Sequence, residues 1–190
     1  MAHPTEIARI ALPDQSELDP ETQAYFDTCE EKLGMIPNVL RCYTGNPAKL
    51  RTFSAFYNEL MLGDSPLTKL EREMIATVVS ARNRCFYCLV AHGQMIRELS
   101  GNPEFGELMV FNYRAAQLSE RHRAMLDFAW KLTDTPEDIS EKDREGLRAV
   151  GFSDDEIFDI TDVTSFFNYT NRMAHGLEMA PNREYHGMNR

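Results

Sequence analysis

The chain has 190 residues, 43% of them hydrophobic and 26% charged, with a formal net charge of −10 and four cysteines. That length can bury one substantial core, and no stretch reaches the roughly 20 apolar residues of a membrane helix. The acidic balance, with no run of Lys or Arg, argues against nucleic acid or an anionic membrane as partner, and four cysteines are too few for a disulfide-stapled secreted scaffold.

In chain order, residues 1–19 carry Pro4 and Pro13 with little periodicity and are expected to form an extended arm. Neither a basic nor an apolar leader segment is visible from Met1 to Glu6, so a cytoplasmic location is expected. A first helix is predicted from near Asp19 to Gly34, and Met35-Ile36-Pro37-Asn38 is a break. Asn46 before Pro47 has the form of an N-cap with proline at the first helical position, opening a helix to Leu62. Thr68 and Glu71 have capping-box spacing ahead of Met74, Ile75, Val78 and Val79, which predicts a helix over 69–82. A further helix is expected from Cys85 to about Leu99, and another from Pro103 to about Ala116 across the break Ser100-Gly101-Asn102-Pro103. Ser119, Ser140 and Ser153 mark three more starts. The last helix carries Ile157, Ile160, Val163, Phe166, Phe167 and Met173 as one apolar stripe. The reading is an all-α, single-domain bundle of about seven or eight helices, with the domain over 20–180 and a tail over 181–190. The segment from Leu67 through Arg72, Met74 and Ile75 also aligns without gaps on Leu118 through Arg123, Met125 and Leu126, with Ala124 in place of Glu73.

The residues able to do chemistry lie between Glu73 and His92. On a helix, Cys85 and Cys88 are three apart and Cys88 and His92 four apart, so the three share a face. Asn83 and Arg84 fall at the break between two helices. If these fold back on each other, Glu73 and His92 come opposite, and a carboxylate-held imidazole can take the proton of a thiol directly or through one water. Two effects compete over which sulfur ionises. Cys85 is nearer the helix N-terminus and Cys88 is nearer the base. The base one turn away is expected to outweigh a partial charge that fades within the first turn.

Glu73, Cys85, Cys88 and His92 fit a Glu-x(11)-Cys-x-x-Cys-x-x-x-His pattern, and on these residues the chain resembles alkylhydroperoxidase D, in the peroxidase-related branch of the carboxymuconolactone decarboxylase superfamily. The resemblance is sharpest over residues 67–92 and extends to the stretch from Gly151 to Ile157. It implies an AhpD-like helical hairpin carrying the cysteine pair. It further implies a thiol-dependent peroxidase in which Cys88 is the peroxidatic thiolate, Cys85 its resolving partner, and His92 with Glu73 the proton relay. The implied partners are a hydroperoxide and a thiol or lipoyl reductant, in a homo-oligomer built on trimers, up to a hexamer, and no cofactor or metal is called for. One position departs from the pattern: Tyr87 stands where alkylhydroperoxidase D has a second histidine.

Other readings use the same residues. Cys85, Cys88 and His92 could supply three ligands to zinc, although no second ligand pair follows at suitable spacing. A dithiol-disulfide oxidoreductase or a redox-sensing module would need the same thiol pair without peroxide specificity, and superfamily members that decarboxylate lactone acids generally lack the pair. Cys29 and Cys42 each stand alone and are expected in the core. Asn171 and His175 lie four apart on the last helix and could approach the site, although capping or surface contacts are the expected reading.

Overall fold

A computed structural model of the chain describes residues 3–4, 6–13 and 18–190, so part of the expected arm over 1–19 lies outside the described residues. Among these, the secondary structure is helical throughout: α1 (Pro20–Leu33), α2 (Asn38–Arg41), α3 (Pro47–Leu62), α4 (Lys69–Arg82), α5 (Phe86–Ser100), α6 (Pro103–Asn112), α7 (Glu120–Asp134), α8 (Glu141–Ala149) and α9 (Asp154–Gly176), with short 3₁₀ turns at Tyr113–Ala115, Pro136–Asp138 and Arg183–His186. The helix count exceeds the expected seven or eight because of α2, a four-residue helix too short to show periodicity. The stretch expected to run helical to Ala116 instead leaves the α form at Asn112 and tightens into a 3₁₀ turn.

The starts follow local chemistry. The Asp19 carboxylate accepts the Thr22 N–H, Asn46 accepts from Lys49 N–H, and Ser119 accepts from His122 N–H. Thr68 with Glu71 and Ser153 with Glu156 close full capping boxes. Each cap satisfies donors that the first turn leaves unpaired and is worth about 1 kcal/mol.

The centre of the bundle is α4, where every residue from Glu71 to Ser80 is buried, packed against α3, α5, α6, α7 and α9. Met74, Ile75, Val78 and Val79 have no exposed surface. Burying side chains of this size contributes roughly 1.5–3 kcal/mol each. With 23 residues, α9 is about 35 Å long and lays its predicted stripe of Ile160, Val163, Phe166 and Phe167 into the same core. Helices α5 and α6 approach so closely that a Cβ on Gly106 would fall 2.6 Å from Arg97 Cγ and 3.1 Å from the Gly93 carbonyl, which only glycine permits.

Both ends of the chain pack back on this bundle. The Arg9 N–H donates to the Leu177 carbonyl and the Ala180 N–H to the Ile7 carbonyl, both at 2.9 Å. Buried Arg97 on α5 donates to the carbonyls of Tyr185 and Met188, holding the last turn against the helix that bears the cysteines.

Candidate active site

The turn between α4 and α5 decides where the sulfurs go. Helix α4 ends in a Schellman arrangement, with the Arg84 N–H donating to the Ala81 carbonyl and the Cys85 N–H reaching back to the Ser80 carbonyl at 2.9 Å. The left-handed position of that motif, ordinarily glycine, is filled by Arg84 at φ 55°. Cys85 follows in extended conformation as the N-cap of α5, so it stands just outside the helix on which it was expected, while Cys88 and His92 lie within the helix one turn apart.

The chain then runs back along α4. Glu73 and His92, nineteen positions apart, meet through Glu73 Oε2 and His92 Nδ1 at 2.7 Å, both side chains buried. The imidazole also packs perpendicular to the ring of Phe167, with ring centroids 4.6 Å apart. A carboxylate on Nδ1 fixes which ring nitrogen remains for chemistry, and the aromatic contact fixes its plane.

All four cysteines are free thiols, and Cys85 and Cys88 are 1% and 3% exposed. Cys85 is lowered to about 7, chiefly by the neighbouring Cys88 thiol acting against the cost of burial. Cys88 is pushed well above the ordinary thiol range, first because its proton is engaged by Cys85 and then by burial. The two sulfurs are thus held apart in acidity, Cys85 below and Cys88 above the ordinary thiol range, each acting on the other.

Asn171 and His175, four apart on α9, both reach this site, Asn171 from within the core and His175 by a capping contact. Asn171 is fully buried, donates to Ser80 Oγ at 3.0 Å and accepts from Asn83 Nδ2 at 2.9 Å. Asn171 and Ser80 both oppose the rise of the Cys88 pKa. His175 is exposed and bonds the Asn83 carbonyl at 2.9 Å, so it does fasten the turn, as a capping contact would. The available signal for Asn171 was its position one turn after the core residue Phe167.

Tyr87, the departure from the family pattern, is turned away to other work. Its buried hydroxyl accepts the Val39 N–H at 3.0 Å and so ties α5 to the short helix α2. Of the isolated cysteines, Cys29 is buried, whereas Cys42 is partly exposed and packs beside the Cys85 and Cys88 cluster. Among the described residues, no group of three or more His, Cys, Asp or Glu side chains is arranged to hold a metal ion. Nor, among the described residues, is any helix long and apolar enough to cross a membrane.

A cavity of about 560 Å³ reaches this site between α1, α3, α5, α9 and the C-terminal turn. Among the described residues, Cys88 and His92 line it and Cys85 does not.

Comparison with known proteins agrees with this architecture. The profile of the Carboxymuconolactone decarboxylase family matches residues 47–105, the span holding α3 to α5. The crystal structure of an uncharacterised peroxidase-related protein from Silicibacter sp. TM1040 is 57% identical, covers 100% of both chains and superposes with a TM-score of 0.97. A second, described as an alkylhydroperoxidase AhpD core, uncharacterised peroxidase-related protein from Ralstonia eutropha JMP134, is 40% identical over 100% of this chain and 98% of its own, with a TM-score of 0.93. The debrominase Bmp8 has a TM-score of 0.77 over 97% of this chain and 96% of its own at 17% identity, a likeness of fold alone. No curated protein matches the chain. With two relatives at 57% and 40% identity along its whole length, the chain belongs to the AhpD-like branch of the carboxymuconolactone decarboxylase superfamily.

Proposed function

We propose that the chain is a thiol-dependent peroxidase that reduces hydroperoxides through the Cys85 and Cys88 pair, with His92 and Glu73 as the proton relay. The observation that carries this reading is the buried 2.7 Å contact of His92 with Glu73 on the cavity wall that also presents Cys88. A base fixed by a carboxylate beside a thiol, at the end of a closed approach, is an arrangement suited to generating a nucleophile.

In the reaction, Cys88 gives its proton to the relay and its sulfur attacks one peroxide oxygen. The S–O bond forms, the O–O bond breaks, and the leaving alkoxide takes the proton held by His92, leaving an alcohol and a sulfenic acid on Cys88. Cys85, already the more acidic sulfur, then displaces hydroxide from Cys88. That hydroxide takes up the proton Cys85 gives up and departs as water, and a disulfide joins the pair. A thiol or lipoyl reductant returns two electrons and two protons to restore the dithiol. The same reading expects a homo-oligomer built on trimers, which a light-scattering mass equal to one chain contradicts, and a cytoplasmic location.

The test uses reduced protein mixed with one equivalent of hydroperoxide. Cys85→Ser should accumulate a trappable sulfenic acid on Cys88, and wild type should form one disulfide per peroxide consumed. Fast oxidation of Cys85 in Cys88→Ser would reverse the roles of the two sulfurs, and oxidation of wild type at the rate of a free thiol would remove the peroxidase reading. The low pKa of Cys85 at a helix start supports a second reading, dithiol-disulfide exchange, because that is how Cys-x-x-Cys pairs activate their attacking sulfur. Rapid exchange with a disulfide substrate together with slow reaction with hydroperoxides would favour it.

A further inference from the structure

The cavity before Cys88 holds more information than access for a peroxide group requires. Its size falls within the roughly 300–1,000 Å³ of sites that enclose a drug-sized organic ligand. Phe53, Phe166 and Phe167 give it aromatic walls, and the exposed side chains of Leu33 and Leu62 line its mouth. Hydrogen peroxide would leave these apolar surfaces uncovered.

Among the polar residues of the lining, which include Lys32, Asn58, Gln94 and Glu98, Ser54 is the one among the described residues with a buried, unpaired side-chain oxygen. Ser54 on α3 is 6% exposed, and its hydroxyl has no hydrogen-bond partner among the described residues. A mid-helix serine can bond the carbonyl four residues back, yet this one does not, and leaving a buried hydroxyl unpaired costs about 1–3 kcal/mol. Tyr57 lies three residues further along the same helix and also lines the cavity, which sets its side chain next to that of Ser54. Burial, and then the charge of Glu73, hold the Tyr57 phenol well above its ordinary range, so it is a permanent hydrogen-bond donor facing the relay. Neither residue takes part in the thiol chemistry.

We propose that this cavity selects an aromatic or branched apolar molecule carrying a hydrogen-bonding substituent, which Ser54 receives with Tyr57 beside it, while the reactive end faces Cys88. Ser54 is then the specificity-determining residue. That the reactive end is a hydroperoxide rests on the peroxidase reading above; the shape and polarity of the remainder do not.

The two can be tested separately with non-reactive product alcohols. Calorimetric titration of the reduced protein with 2-phenyl-2-propanol and its para-acetyl analogue should show the acetyl compound binding about tenfold more tightly, the difference one well-placed hydrogen bond supplies. Ser54→Ala should remove that preference, Ser54→Thr should keep it, and Tyr57→Phe should reduce it. Thermal melts of each variant establish that it is folded before titration. Equal affinity for the two alcohols in wild type, or an undiminished preference in folded Ser54→Ala, overturns the proposal. If the preference appears but cumene hydroperoxide does not oxidise the pair, the cavity assignment stands and the peroxidase reading falls. If cumene hydroperoxide and hydrogen peroxide react equally fast and neither alcohol binds, the cavity assignment falls and the peroxidase reading stands.

Discussion

Helices α4 and α7 are built to one local plan, and only one of them carries chemistry. Thr68 and Ser119 cap them through the N–H three residues on. Arg72 reaches back to the carbonyls of Leu60 and Gly63, and Arg123 does the same to those of Tyr113, Arg114 and Ala116. Met74 with Ile75, and Met125 with Leu126, are the fully buried pairs that follow. The plan diverges at two places. Glu73 is replaced by Ala124, and the turn that presents Cys85 is replaced by the 3₁₀ turn at Pro136–Asp138. The shared positions hold the helix in place, and the reactive site is an addition to that frame rather than a property of it.

That comparison can be broken at its sharpest point by making the first helix imitate the second. Glu73→Ala should lower the rate of hydroperoxide reduction by about a hundredfold or more, the usual worth of a positioned acid-base group, while far-ultraviolet circular dichroism stays that of the native bundle. Unchanged turnover would mean that His92 needs no carboxylate.

The next effect concerns the turn. In Cys88→Ala the main cause lowering Cys85 is gone, so the alkylation rate of Cys85 should titrate well above the value of about 7 expected in wild type. At neutral pH less thiolate is present, and iodoacetamide labelling should slow several-fold after correction for the number of thiols. An unshifted profile would assign the acidity of Cys85 to the helix terminus instead.

The shared frame is tested by the two arginines. Arg72 is buried and Arg123 only partly so. Removing Arg72 as alanine should cost about 2–3 kcal/mol in urea unfolding, as expected for charged hydrogen bonds to buried carbonyls, and Arg123→Ala measurably less. Equal losses would argue that burial is not what separates them. The smallest change is at the strained turn: Arg84→Gly relieves a left-handed residue and should stabilise the fold by up to about 1 kcal/mol, read as a small rise in melting temperature.

Much of this molecule can be read from the chain because its helix starts are chemical. Asp19, Asn46, Thr68, Ser119 and Ser153 each announce a helix, and the structure places one after each. The approach of Glu73 to His92 followed from the position of the break alone. What could not be read depends on partners distant in sequence. Helix α2 has no periodicity of its own. Asn182 fixes its start, accepting the Asn38 N–H at 2.7 Å and donating to the Ile36 carbonyl at 2.9 Å. The burial of Asn171 depends on Ser80, ninety-one positions away.

The clamp that Arg97 places on the carbonyls of Tyr185 and Met188 also puts the parts of the site in an order of synthesis. Glu73, Cys85, Cys88 and His92 all leave the ribosome well before the segment whose Tyr185 and Met188 line the cavity in front of them. A chain interrupted before Tyr185 possesses all four residues of the candidate site and lacks that wall, so under the function proposed above reactivity is acquired first and selectivity last.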